Sequence, residues 1–112
     1  MKLFLDDIRK PPDSSWDVVR DYNSFVKYIE FNGVPDVISF DHDLGLTTYS
    51  NEKTGLDCIK YLIEKNLEIK EYVLHSDNPV GKANMDSLIQ SWKRHCETYI
   101  VEEHYKGQGG YT

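Results

Sequence analysis

Short runs of consecutive apolar residues alternate along the chain with longer segments whose apolar residues recur every three or four positions. The short runs are typical of buried strands in a parallel sheet, and the longer segments of amphipathic helices. Strands that alternate with helices in this way predict a doubly wound α/β fold. The pattern predicts five strands, at residues 2–5, 16–19, 37–40, 71–74 and 98–101.

The predicted helices carry start and end signals. Asp21 or Asn23 can cap a first helix that ends at Asn32 and Gly33. Segment 55–66 has apolar residues at helical spacing. The segment IRKPPDSS, after the first strand, has two prolines and two serines and therefore predicts a loop where a crossover helix is expected. A further helix carries an apolar stripe made of Met85, Leu88, Ile89, Trp92 and Cys96.

A chain of 112 residues is long enough for one compact domain, which we place at residues 1–106, with a glycine-rich flexible tail at 107–112. Hydrophobic residues make up 39% and charged residues 29%, a globular balance, and no apolar run is long enough to cross a bilayer. The first residues, MKLFLDD, lack the apolar core of a secretory signal, so we expect a cytoplasmic location. The two cysteines are too few and too far apart for a disulfide framework.

The formal net charge of −6 argues against broad, phosphate-driven binding of duplex DNA, and the lack of a long apolar run leads us to expect no membrane partner. A small phosphorylated ligand that is held locally remains compatible with this charge. The composition leaves the oligomeric state open.

Polar residues follow directly after several predicted strands. Because the carboxyl ends of parallel strands lie at one edge of the sheet, we expect these residues to converge on one crevice. They are Asp6 and Asp7 after LFL, Asp41, His42 and Asp43 after VISF, His75, Ser76, Asp77 and Asn78 after YVL, and Glu102, Glu103 and His104 after YIV.

Acidic residues just past a strand often serve only as helix caps or turn formers, and we favour that role for Asp7, Asp77 and Glu102. Asp6 and Asp41 differ because each directly follows a buried run. Two carboxylates that converge from separate strands repel each other unless a positive group lies between them.

His42 and His75 lie at strand ends beside acids, where an imidazole can be oriented for proton transfer. His95 lies on a predicted helix, and we expect a structural role for it. Three further side chains can donate hydrogen bonds to phosphate oxygens, although each also has an ordinary role in a loop or turn: Arg9, Ser76 and Asn78.

Taken together, Asp6 and Asp7, Asp41, Gly55 to Asp57 and Ser76 resemble the receiver domain of response regulators. The resemblance implies that the acidic pair holds Mg²⁺, that Asp41 accepts a phosphoryl group and that Ser76 contacts this group. The chain departs from receivers in three respects. The first crossover helix is reduced or missing, no lysine follows the fifth predicted strand, and histidines flank two key positions.

The chain is more similar to the cyclic-phosphate processing receiver-like domains, through the motifs LFLDDIRKPP, SFDHDLG and HSDNPVGKANM over residues 3–85. This resemblance implies a flavodoxin-like, three-layer fold with a mostly parallel five-stranded sheet. It also implies an enzyme, a phosphodiesterase that processes a cyclic phosphate. The implied substrate is a 2′,3′-cyclic RNA end or a cyclic nucleotide derivative.

The residue types suit hydrolysis of a cyclic phosphodiester. Asp6, Asp7 and Asp41 can share one hard cation, Mg²⁺ or Mn²⁺. We expect His42 and His75, with the neighbouring acids Asp41 and Asp43, to carry out the catalytic steps, which include one proton transfer to and one from the reacting oxygens. Arg9, Ser76 and Asn78 would then orient the phosphate.

Three alternatives remain at this point. Imidazoles alone could catalyse the reaction without a metal. The chain could instead be a Mg²⁺-dependent phosphoacceptor in signalling, or a non-catalytic module that binds a nucleotide or a protein.

Overall fold

The computed structural model describes residues 1–44 and 53–107, with side chains as far as residue 97. Within these ranges the chain forms four strands and three helices. In chain order they are β1 (Lys2–Leu5), β2 (Asp17–Val19), α1 (Tyr22–Asn32), β3 (Val37–Phe40), α2 (Gly55–Glu64), β4 (Glu71–Leu74) and α3 (Pro79–Gly107).

The four strands form one parallel sheet in the order β2-β1-β3-β4. The predicted α/β class is therefore confirmed, and so are the first four predicted strands, of which the second begins one residue late. This is the strand order of flavodoxin-like folds, in which the chain reverses direction across the sheet between β1 and β3. Ligands of such folds bind at the carboxyl ends of the strands beside this reversal.

The predicted fifth strand is wrong, because residues 98–101 lie within α3. Their β-branched and aromatic side chains favour a strand when the segment is considered alone. No glycine or proline separates them from the preceding helical turns. Extending an existing helix costs far less than starting a new element, so the helix continues through this segment.

The three helices pack in sequence against one another, α1 on α2 and α2 on α3, and share one hydrophobic core with the sheet. The handedness of parallel crossovers explains this arrangement. The connections from β2 to β3 and from β3 to β4 run in the same direction across the sheet, so right-handed crossovers place them on the same face. The described residues thus form two layers, and the expected third layer is not seen among them.

The connection from β1 to β2 runs in the opposite direction, so the same rule places it on the other face of the sheet. Residues 6–16 contain no helix, as predicted. In place of a helix, the side chains of Trp16 and Lys2 cover part of this face of the sheet. The Trp16 ring packs edge-on against the Phe4 ring at 6.1 Å, and the Lys2 ammonium lies 5.2 Å from the Trp16 ring. Val18 and Val73, on the same face, remain exposed.

Local signals explain where the helices begin and end. The side chain of Asp21, and not that of Asn23, caps α1 by accepting the backbone N–H of Ser24. Gly33 ends this helix with a positive φ of 78°, a conformation that glycine adopts without strain. The carboxylate of Asp57 accepts the backbone N–H of Thr54 at 2.8 Å and so fixes the start of α2, which ends at Glu64 and not at residue 66 as predicted.

Two predicted segments lie wholly or mostly outside the described residues: the polar loop after β3, at residues 46–54, and the tail after Gly107. Within the described part of the chain, no helix is both long enough and apolar enough to cross a membrane.

Gly55 lets α2 begin directly against the end of β3. Its N–H donates to the His42 carbonyl at 2.8 Å, and a β-carbon at this position would overlap the Asp41 carbonyl oxygen and contact the sulfur of Met85. The start of α2 therefore fixes the backbone of the segment that carries Asp41.

We predict that Gly55→Ala destabilises the fold by about 1–3 kcal/mol, because the added methyl group must displace backbone. A glycine-to-alanine change in a helix is otherwise stabilising, by up to about 1 kcal/mol. Urea unfolding of the variant measures the effect, with Ser87→Ala on the exposed side of α3 as the control. A Gly55→Ala variant as stable as the wild type would contradict this close packing.

Candidate functional site

The sheet register places three predicted site residues side by side. Leu5 pairs with Phe40, and Phe40 pairs with Leu74, so the next residues along the three strands are Asp6, Asp41 and His75. Their backbone N–H groups continue the ladder, since the N–H of Asp41 donates to Leu5 and that of His75 donates to Phe40, each at 3.0 Å. The site is therefore held by the same hydrogen bonds as the sheet.

The Asp6 side chain is fully buried, and its first carboxylate oxygen accepts the backbone N–H groups of Ile8 at 2.9 Å and Arg9 at 2.8 Å. The guanidinium of Arg20 donates to the carbonyl oxygens of Asp6 at 3.2 Å and Arg9 at 2.6 Å. Hydrogen bonds to the Asp6 carboxylate and from the Arg20 guanidinium therefore both hold the turn that follows β1.

His75 is held by three contacts. Its Nε2 lies 2.9 Å from the second carboxylate oxygen of Asp6, and its Nδ1 lies 2.7 Å from the hydroxyl oxygen of Ser39. The imidazole also stacks on the Phe4 ring, with 4.5 Å between centroids and 7° between planes. Side chains two residues apart on a strand share a face, so Phe4 and Ser39 lie where they can contact a histidine beside Asp6 and Asp41.

Asp41 is buried at the end of β3, and its Oδ1 accepts the backbone N–H of His42 at 2.8 Å. One ligand atom from each of Asp6, Asp41 and His75 can be chosen so that all three lie within 4.8 Å of one another. Such a spacing, with two carboxylates in the set, fits a divalent cation.

The two carboxylates differ in electrostatic environment. Burial raises the pKa of Asp41, and the neighbouring charge of Asp6 raises it further. For Asp6 burial acts in the same direction, but the N–H groups of Arg9 and Ile8 and the contact with His75 outweigh it and hold its pKa below the ordinary value. The N–H of His42 and the His75 side chain act in the opposite direction but do not outweigh these effects, so Asp41 is the member of the pair whose negative charge is less well compensated.

A cleft with a volume of about 340 Å³ opens beside these side chains, and we call it the acidic cleft. Five carboxylates and one guanidinium contribute to its lining. An anionic phosphate would be repelled from such a lining unless a cation neutralised part of it. The lining residues are Asp6, Asp7, Ile8, Arg9, Asp41, Asp43 and Asp77.

His42 lies next to this lining in the chain. Its Nδ1 lies 2.9 Å from a carboxylate oxygen of Asp43, and its ring packs against Gly81, where a β-carbon would overlap it. Among the described residues, Nε2 of His42 has no hydrogen-bond partner. An imidazole that is oriented by a carboxylate through one nitrogen and has its other nitrogen available is suited to proton transfer.

The predicted phosphate ligands have partners within the protein. Arg9 donates to the His75 carbonyl at 2.9 Å and pairs with the carboxylate of Asp77. The side chain of Asn78 caps α3 by accepting the N–H of Gly81 at 2.9 Å. The buried Ser76 accepts the N–H of Asn78 at 3.0 Å. Arg9 alone of the three lines the acidic cleft.

The structure brings two of the three predicted metal ligands, Asp6 and Asp41, together with His75. The third, Asp7, lines the acidic cleft but lies outside this cluster. Asp6, Asp41 and His75 form one cluster, whereas His42 and Asp43 form a separate pair. Both ring nitrogens of His75 have protein partners. Proton transfer by His75 would require one of these contacts to break, so this role stays a prediction. His95, which was expected to be structural, stacks on Trp92.

Sequence reasoning missed Ser39, Phe4 and Arg20, which fix the geometry of the site. A signal for Ser39 was present, because it is the polar residue in the buried run VISF. Asp77, which we favoured as a turn former, lines the acidic cleft.

Comparison with protein families gives one result. The family model described as the cyclic-phosphate processing receiver domain matches residues 1–91, a span that includes every side chain of the acidic cleft. No curated protein and no solved structure matches the chain significantly.

We predict that Asp41→Asn stabilises the metal-free protein at neutral pH. A carboxyl group whose pKa is raised by folding binds its proton more tightly in the folded state, so its ionisation costs stability as the pH rises. The variant should therefore match the wild type at pH 3, exceed it above pH 6 and still accept the N–H of His42. Thermal unfolding in the presence of a chelator measures this difference. A variant less stable than the wild type at pH 7 would contradict the assigned environment of Asp41.

Proposed function

This chain belongs to the cyclic-phosphate processing receiver domain family, and we propose that it is an enzyme that hydrolyses a cyclic phosphodiester in the acidic cleft. The observation that carries the proposal is the place of this cleft at the carboxyl ends of β1 and β3, with a carboxylate-oriented histidine beside it. The family name supports a cyclic phosphate as the substrate. The size of the cleft suits a cyclic nucleotide or the cyclic end of an RNA strand.

Divalent cation binding follows from the charge of the acidic cleft. Asp6, Asp7 and Asp41 would hold Mg²⁺ or Mn²⁺, and all three side chains are buried at the cleft. When bound, such an ion supplies positive charge that polarises the phosphoryl group and offsets the repulsion of the carboxylates. The rigid turn after β1 keeps Asp6 in place, so little ordering is needed when the ion enters.

We assign proton transfer in this reaction to His42. In ring opening, a water oxygen forms a bond to phosphorus while the bond from phosphorus to one sugar oxygen breaks. His42 accepts the proton of the attacking water and then donates it to the departing sugar oxygen, so one imidazole serves both steps. Asp43 accepts a hydrogen bond from Nδ1 and stabilises the imidazolium between the two steps.

Arg9 orients the phosphate in this proposal. It lines the acidic cleft and its guanidinium can bind two phosphate oxygens at once, although Asp77 competes for it. Ser76 and Asn78 act indirectly, because they fix the turn between β4 and α3 from which Asp77 extends.

The signalling alternative has one supporting observation, the receiver-like placement of Asp6, Asp7 and Asp41 at one edge. A receiver lysine would follow a fifth strand, whereas the corresponding segment here lies in α3. If the chain were a phosphoacceptor, acetyl phosphate with Mg²⁺ would add one phosphoryl mass at Asp41. We expect an unchanged mass, measured within minutes by intact mass spectrometry.

We predict that phosphorus NMR shows conversion of a cyclic phosphate to a monoester when the protein is incubated with a panel of cyclic substrates and Mg²⁺ or Mn²⁺. The panel should include 2′,3′-cyclic nucleotides, RNA with a cyclic end and cyclic dinucleotides. A chelator should stop the reaction. If a cyclic nucleotide binds but is not converted with any metal, the chain is a binding module and the proposal is wrong.

We predict that His42→Ala lowers turnover by about 10²- to 10⁴-fold, the usual contribution of a positioned acid or base. Asp43→Asn should lower it less, because the imidazole remains. His95→Gln, on the exposed part of α3, serves as the matched control. Equal turnover in His42→Ala and wild type would remove His42 from the mechanism.

A further inference from the structure

We infer that His75 is a further metal ligand beside Asp6, Asp7 and Asp41, that Ser39 is the residue that positions it, and that the site therefore prefers a transition-metal ion to Mg²⁺. The inference rests on the proposed function only for the presence of a cation in the acidic cleft. It assigns His75 a place in binding the metal and leaves proton transfer to His42.

The distances fit this ligand set. Nε2 of His75 and a carboxylate oxygen of Asp6 lie 2.9 Å apart. Two ligand atoms at right angles around an ion, each about 2.1 Å from it, lie about 3.0 Å apart. The same pair of atoms can thus share a hydrogen bond without metal and share an ion with it, so the side chains of Asp6 and His75 need little movement between the two states.

Asp41 provides an independent observation. It is only 9% exposed and lines the acidic cleft, yet one of its carboxylate oxygens has no hydrogen-bond donor among the described residues. Its other oxygen accepts the N–H of His42. The oxygen without a donor is not itself fully buried, because no buried side-chain oxygen or nitrogen of the described residues lacks a hydrogen-bond partner. It lies near both Asp6 and His75 at the acidic cleft, where an entering cation would satisfy it.

Ser39 suits both states of His75. Its hydroxyl lies 2.7 Å from Nδ1 and can either donate or accept a hydrogen bond. Without metal, Nε2 carries a proton toward Asp6 and Nδ1 can accept from the hydroxyl. With metal, the lone pair of Nε2 would face the ion, and Nδ1, which then carries the ring proton, would donate a hydrogen bond to the oxygen of the same hydroxyl. Ring stacking on Phe4 keeps the imidazole plane fixed in both cases.

Selectivity follows from the donor set. Mg²⁺ strongly prefers oxygen ligands, whereas Mn²⁺, Co²⁺ and Zn²⁺ also accept an imidazole nitrogen, which Mn²⁺ binds more weakly than Co²⁺ does. A site with three carboxylates alone would favour Mg²⁺ or Mn²⁺. Adding His75 to Asp6 and Asp41 shifts the preference toward the transition metals.

The first test uses the wild-type chain alone, without substrate. The metal-free protein is labelled with ¹⁵N at its four histidines and titrated with Zn²⁺, and the imidazole nitrogens are followed by NMR. We expect one histidine to show a metal-bound Nε2 and a protonated Nδ1, the His42→Gln and His95→Gln variants to retain that signal, and the His75→Gln variant to lose it. Zn²⁺ that fails to bind, or binds without changing any imidazole, overturns the inference.

The second test compares variants by calorimetric titration with Mn²⁺ and with Mg²⁺. Ser39→Ala should weaken Mn²⁺ binding by about 10- to 100-fold, the usual effect of removing a partner of a metal ligand, and should change Mg²⁺ binding much less. Ser39→Thr keeps the hydroxyl and should restore Mn²⁺ affinity, while His75→Gln should remove the preference for Mn²⁺.

Equal losses for both ions in Ser39→Ala, or a Mn²⁺ preference that survives in His75→Gln, overturn the assignment. Circular dichroism of each metal-free variant checks that it is folded. Because both tests measure metal binding without substrate, they separate failure of this inference from failure of the proposed hydrolysis.

Discussion

The repulsion between the carboxylates of Asp6 and Asp41 is the constraint on which the site depends. The sheet register forces these residues side by side at the ends of β1 and β3, and both are buried. Backbone N–H groups and His75 stabilise the charge of Asp6, whereas the charge of Asp41 remains poorly compensated. A fold that keeps such a pair at a cost in stability is expected to use it, and we propose that a shared cation relieves the repulsion.

The topology explains why this site is open. Crossovers that run in one direction place α1 and α2 on one face of the sheet, where α3 packs on α2, and the connection after β1 reaches the other face as an irregular segment. That segment leaves room for Asp6, Asp41 and His75, which share the face of Phe4 and Ser39. The loss of a crossover helix, which sets the chain apart from ordinary receivers, therefore creates the surroundings in which His75 can be stacked and hydrogen-bonded.

The sequence could predict the parts of the fold and site that depend on local pattern. The first four strands follow from apolar runs, and the convergence of Asp6, Asp41 and His75 follows from the rule that parallel strands end at one edge. The segment 98–101 could not be predicted in this way, because its strand propensity is overridden by the helix that precedes it. The sequence also could not predict that His42 and His75 lie in separate groups. The grouping depends on the hydrogen-bond partners of each ring. His42 pairs with Asp43, whereas His75 contacts Asp6 and Ser39. Partner choice is a property of packing in three dimensions and leaves no periodic signal.

The most direct test of this account is a crystal structure of the chain grown with Mn²⁺, with anomalous diffraction recorded at a wavelength where manganese scatters strongly. The account predicts a single strong anomalous peak in the acidic cleft, about 2.1–2.3 Å from carboxylate oxygens of both Asp6 and Asp41. Crystals with no peak in the cleft at millimolar Mn²⁺, or with a peak that contacts neither carboxylate, would contradict the claim that this carboxylate pair exists to hold a cation.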